Sequence, residues 1–477
     1  MTFASFDFLI FFGLVLVAYY AIQAWGGHRA QNVLLLVASY VFYGWWDWRF
    51  LGLLLFSTVV DYFCARGLDP DRSPARSLLG RRAILLTSIA SNLGILSLFK
   101  YFNFFRESLA SLASILGMSL DWPTLHIILP VGISFYTFQT LGYTIDVYRG
   151  KLGPARRIVD FMLYVSFFPQ LVAGPIERAS RLLPQVTAPR RASREGLFSG
   201  AQLALVGYFK KVVLADSMAV LVNDVFLDPH PGAGAITIAI YAFALQIYCD
   251  FSGYTDIARG TARMLGFDLM ENFRLPYLAT SPRDFWARWH ISLSTWLRDY
   301  LYIPLGGNRK GKWRTRLNLM TTMILGGLWH GAAWHFVAWG VYHGGLLVGF
   351  RSAGRDAKGR PSPKRGWRFA LAAGLFFQLT CIGWLIFRVE SLSQLMSFAA
   401  AFAHPTDLSL ALLSDALPVL AIAVPLLAFQ VHQHQRGQAE VWLTWSPWLR
   451  TAFNVALYFG ITLFAAGVHN EFIYFQF

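Results

Sequence analysis

Two histidines stand in surroundings that suit proton transfer. His290 follows Arg288-Trp289, and His330 follows Leu328-Trp329, with apolar sequence on both sides of each. An ionisable side chain at membrane depth is costly, so by default it marks function. A neutral imidazole in an apolar site is a competent general base, because burial favours its uncharged form. The run Gly326-Gly327-Leu328-Trp329-His330-Gly331-Ala332-Ala333-Trp334 is rich in small residues, which let another backbone or a thin acyl chain come close. From spacing alone, His330 reads more readily as a core histidine bonded to a neighbouring helix's carbonyl. His335 and His343 are offset so that the three do not share a helical face. With no HExxH pattern either, no metal site is expected.

Charge gathers around the first histidine. Residues Trp286 to Tyr300 mix aromatics with Arg288, Arg298 and Asp299, as an amphipathic element at a membrane surface would. Arg309, Lys310, Lys312, Arg314 and Arg316 then form a basic turn. A phosphate-bearing donor would find counter-charges there. A basic loop resting on anionic lipid would look the same. Asp250, Asp256 and Arg259 follow one apolar span and Asp146 and Arg149 another, and each group reads as an ion pair at a helix end.

The elements that must position these residues are membrane spans. The 477 residues are 56% hydrophobic and only 14% charged, with a mean hydropathy of +0.45. A soluble protein carries about 25% charged residues. Apolar runs of about 20 residues lie near 6–25, 31–47, 50–64, 82–102, 124–148, 196–222 and 233–254, and then near 317–334, 336–350, 368–389, 411–431 and 451–468. The expectation is an all-α polytopic membrane protein of about eleven or twelve spans, forming one domain over 1–477. Segment 158–176, broken by Pro169 and Pro175, and segment 285–305, which carries charge, read as re-entrant or interfacial. Gly331-Ala332-Ala333 is the expected break between two crossings. The net charge of +15 sits in loops, where it sets topology and attracts anionic lipid; it gives no support to nucleic-acid binding. The basic loops are expected on the cytoplasmic face, with both termini outside. Cys64, Cys249 and Cys381 have neither CxxC spacing nor a disulfide pattern. The N-terminus lacks a basic leader and reads as a retained first span.

Four stretches together resemble the membrane-bound O-acyltransferases, in the bacterial branch that acetylates alginate and other exopolysaccharides. They are LPVGISFYTFQTLGYTIDVYRG, FFPQLVAGPIER, the run from QIYCDFSGYTDIARG through PRDFWARWHISLSTWLRDYLYIPLGGNRKG, and LGGLWHGAAWHFVAWG. The resemblance implies helices around a central tunnel, with His330 as the catalytic histidine and His290 as the family's second polar position. It implies a cytoplasmic acetyl-CoA donor and no metal or organic cofactor. Arg288, Trp296, Arg298, Asp299, Lys310 and Trp329 are the donor-binding candidates. The implied setting is a bacterial inner membrane, with a polysaccharide acceptor and an SGNH/GDSL-type partner on the outer side.

The chain ends Glu471-Phe472-Ile473-Tyr474-Phe475-Gln476-Phe477. These alternating aromatics resemble the C-terminal motif of the small partner peptide in teichoic acid D-alanylation, whose tyrosine is thought to accept the acyl group. Tyr474 is therefore expected to take the acetyl group as a covalent intermediate, and the same pattern also suits an aromatic belt anchor. Two other readings remain open: a transporter or flippase, although no internal repeat is visible, and an acyltransferase for a protein, lipid or teichoic-type acceptor.

Overall fold

In the computed structural model, residues 1–69, 77–119, 123–125, 127–172, 174–191, 193–354, 366–403, 411–464 and 472–473 are described, and they form helices and turns with no strand among them. They fall into two compact units, 1–201 with 258–270, and 202–257 with 271–477. Phe6–Ala24, Gly27–Gly67, Leu78–Ile115, Ala233–Met264, Trp367–Arg388 and Ser414–Arg436 are long and apolar enough to cross a membrane. A helix rises about 1.5 Å per residue, so about 20 apolar residues match the hydrocarbon core. Leu14, Val17, Leu79 and Leu375 are exposed on such helices, an outer surface suited to lipid tails. The chain is a multi-pass helical membrane protein.

The other expected spans are helices as well, with shifted bounds. The run 124–148 becomes helical only at Ile133–Tyr148, because Pro130 and the left-handed Gly132 precede it. The run 82–102 extends through a π-helical stretch to Ile115. Segment 158–176 breaks as expected, with helix Ile158–Ser166 ending before Phe167 and a single turn, Phe168–Leu171, started by Pro169.

In the first unit, polar side chains inside the helical layer are matched to partners. Asn32 Nδ2 donates to Asp160 Oδ1 and to the Val186 carbonyl, each at 2.9 Å. Arg190 donates to Asn32 and lies 4.3 Å over the Phe267 ring. Asp61 accepts from Ser88, and from Asn92 Nδ2 at 2.8 Å. Lys151 lies 3.9 Å from Asp146 at the end of helix Ile133–Tyr148, so the expected ion pair forms there with a lysine.

In the second unit, two close backbone approaches build the scaffold of the site. Segment 202–215 crosses helix Ala233–Met264 at Gly207 and Gly253. A Cβ on Gly253 would stand 2.7 Å from the Gly207 carbonyl oxygen. That contact sets Lys210 and Lys211 beside Asp256 and Asp250. Both aspartates therefore pair inside a 32-residue helix and not at its end, which corrects the expectation.

Helices Gly311–His330 and Trp334–Ser352 form a hairpin. It breaks where expected, with Gly331 and Ala333 in extended conformation. A Cβ on Gly327 would lie 2.1 Å from the Phe336 carbonyl oxygen, so the small residues here serve helix–helix contact. Overpacking such a contact costs about 1–3 kcal/mol. Gly327→Val should therefore lower the thermal unfolding midpoint of the detergent-solubilised protein by several degrees. An unchanged midpoint would contradict this packing.

Candidate active site

The loop after helix Ala233–Met264 returns along the segment that carries His290. The Arg274 N–H donates to the Arg288 carbonyl at 2.9 Å, and the Ile291 N–H donates to the Asn272 carbonyl at 3.0 Å. Between these bonds the chain turns through His290, which adopts φ 43° and ψ 54°. A non-glycine residue held in this left-handed region costs of order 1–3 kcal/mol and persists only where its surroundings dictate it. Asn272 supplies that constraint. Its Oδ1 accepts from the Ser292 N–H at 3.1 Å, from Ser292 Oγ at 2.9 Å and from His290 Nδ1 at 3.3 Å. When neutral His290 donates through Nδ1, its Nε2 is left as the basic nitrogen.

Aromatic rings enclose both histidines. The His290 ring lies 4.7 Å from Phe251, edge-on, and 5.8 Å from Trp329. The His330 ring meets Trp329 and Trp339 at 5.1 Å each and Phe387 at 5.3 Å, all edge-on. The two imidazole centroids are 6.4 Å apart. His290 is 0% exposed and His330 4%. Burial pushes the His290 imidazole down to about 3, so it is neutral at working pH. Two imidazoles this close, in a site closed to water, can act on one reacting group.

The expected donor-binding residues divide. Trp329 contacts both histidines. Arg288 pairs with Asp284 at 2.7 Å, and Arg298 pairs with its neighbour Asp299 at 2.7 Å. Trp296 packs on Tyr300 at 5.0 Å. Lys310 caps the far end of helix Gly311–His330, which at 20 residues is about 30 Å long. The structure thus brings His290, His330 and Trp329 together, and leaves Arg288, Arg298, Asp299 and Lys310 outside their ring contacts.

Tyr474 lies outside the described residues. Its two predecessors are described, and both are buried. Phe472 stacks on Tyr254 at 4.4 Å and meets Phe251 at 5.7 Å, the same ring that faces His290. Asn272 and Phe251 were missed in sequence. Asn272 sits in a loop 18 residues before its partner histidine, where no spacing rule applies. Phe251 reads there as one more apolar span residue.

Two outcomes follow from this geometry. Asn272→Leu strands three donors, and each buried unpaired donor costs about 1–3 kcal/mol. It should cut acyl transfer about tenfold or more, while Asn272→Asp, which keeps an acceptor oxygen, should retain more activity; equal activity in both would contradict the role. The second concerns pH. The unfolded chain protonates His290 below its ordinary 6.5, whereas the folded chain resists until about 3. Across that window folding stability should fall as pH falls, because the unfolded chain binds a proton that the folded chain refuses. Denaturation measured from pH 7 to pH 4 should show a shallower decline for His290→Gln. An identical slope would show that His290 is not held neutral.

A profile of the membrane-bound O-acyltransferase family matches residues 156–356. The chain is 37% identical, over its whole length and that of the relative, to "Probable alginate O-acetylase AlgI" of Pseudomonas putida. It is 42% identical to the protein of the same name in Pseudomonas aeruginosa, over 82% of this chain and 73% of the relative. It is 32% identical to the "Peptidoglycan O-acetyltransferase" of Helicobacter pylori, over 83% and 79%. Matches of this extent and identity, joined to a buried histidine pair on a membrane-helix scaffold, place the chain in the membrane-bound O-acyltransferase family and make it an acyltransferase.

Proposed function

We propose that this protein is the membrane subunit of an O-acetylation system for an exopolysaccharide of the alginate type. In this reading it takes acetyl groups from acetyl-CoA at the cytoplasmic face of a bacterial inner membrane and delivers them outward. The observation that carries the reading is the His290–His330 pair, 6.4 Å apart in a dry aromatic enclosure, with the chain's own tail seated against Phe251 beside it. Relatives named for alginate and peptidoglycan acetylation support the acceptor class. The basic loops support a cytoplasmic donor side.

The chemistry runs in two balanced steps. His330 removes the phenolic proton of Tyr474, and the phenolate oxygen attacks the thioester carbonyl carbon. The carbon–sulfur bond breaks, CoA leaves as a thiolate, and the His330 imidazolium returns the proton to it. The product is acetyl-tyrosine and free CoA. A hydroxyl of the acceptor, or of an SGNH-type partner outside, then takes the acetyl group, and the tyrosine regains its proton. Neutral His290, oriented by Asn272, offers a second polar contact to the reacting group. A covalent carrier divides transfer across a membrane into two accessible steps.

A general base contributes about 10²–10⁴ in rate. His330→Ala should bind acetyl-CoA and release CoA about a hundredfold or more slowly; unchanged release would refute the assignment. Tyr474→Phe keeps the aromatic tail and deletes the nucleophile. Polymer acetylation should stop in that variant, and full acetylation would remove the carrier step.

A further inference from the structure

The aspartate that supports the tail has no part in the chemistry just described, yet each of its carboxylate oxygens faces a specific partner. Asp250 sits mid-helix in Ala233–Met264 and is buried. One carboxylate oxygen, Oδ1, lies 2.8 Å from Lys211 Nζ. The same ammonium lies 2.7 Å from Asp216 Oδ1, so Lys211 is held between two carboxylates and fixes the Asp250 rotamer. The other oxygen, Oδ2, accepts the backbone N–H of Ile473 at 2.7 Å, across 223 residues of sequence. The next residues on this helix complete the seat. Phe251 and Tyr254 both contact Phe472, and Phe251 also faces His290.

A buried carboxylate needs its lone pairs satisfied. Here the tail's main chain meets that need, so withdrawing the tail leaves Oδ2 without this donor in an apolar interior. Recognition through a backbone N–H also fixes register. A slip of one residue would exchange the donor and carry the aromatic ring off the Tyr254 face. Consecutive Cα atoms are about 3.8 Å apart, so fixing residue 473 sets where the following residue begins. We infer that Asp250, braced by Lys211, is a positioning residue that clamps the C-terminal tail at Ile473 and sets the register in which Tyr474 is offered to the histidines. The role of Tyr474 rests on the carrier reading above; the clamp itself does not.

The test uses the full-length protein in detergent and reads hydrogen–deuterium exchange of the tail peptide. Asp250→Leu removes the acceptor. Ile473→Pro removes the donor and leaves the Asp250–Lys211–Asp216 cluster intact, so it stands alone if Asp250→Leu fails to fold. Each should speed exchange of the amides after residue 473 by about tenfold or more. The double variant should exchange no faster than either single one, because both act on a single bond. Asp250→Asn, which keeps an acceptor oxygen, should hold protection near the wild-type level. Wild-type exchange in Ile473→Pro, or additive effects in the double variant, would overturn the clamp. In CoA-release assays, Asp250→Leu should lower kcat and leave KM for acetyl-CoA unchanged; a parallel change in both would point to a merely structural role. Tyr474→Phe should leave tail exchange unaltered, so failure of the carrier reading is seen in acetylation and failure of the clamp in exchange.

Discussion

The site depends on one amide oxygen. Asn272 Oδ1 receives donors from the left-handed His290 and from Ser292 two residues on, and it does so in an interior that offers no water as a substitute. That oxygen holds His290 in a backbone conformation it would not choose and sets which ring nitrogen carries the proton. The aromatic rings then keep the imidazole neutral. Orientation by a hydrogen bond and neutrality by burial are separate requirements, and this site meets them with different residues.

One helix joins the parts that sequence separates widely. Ala233–Met264 presents Asp250, Phe251 and Tyr254 on neighbouring positions of one face. Phe251 faces His290, while Asp250 and Tyr254 hold residues near the chain's end. The helix is itself placed by the Gly207–Gly253 crossing, which admits backbone against backbone and brings in Lys211. Small residues thus fix a geometry that the charged and aromatic residues then use.

Much of this was legible in the sequence. Apolar runs announced the helices, and the small-residue run announced the hairpin break after His330. Both reflect local chemistry with a fixed period or a clear breaker. The two histidines were legible because a polar side chain in apolar sequence is costly. Arg298 pairs with its neighbour Asp299, and Arg288 with Asp284 four residues before it. Lys310 precedes the helix that ends at His330, whose 20 residues span about 30 Å. Asn272 and Asp250 were opaque as site residues because their partners come from remote loops, and long-range pairing leaves no periodic trace.

The central claim is that the chain carries its acyl group covalently on the tail that it buries beside its histidines. The most direct measurement mixes purified protein with radiolabelled acetyl-CoA in the absence of any acceptor and then maps the label. The account predicts approximately one base-labile acetyl ester per chain, confined to the peptide containing Tyr474 and absent when His330 is replaced by alanine. Release of CoA with no covalent label, or a label on any other residue, would contradict it.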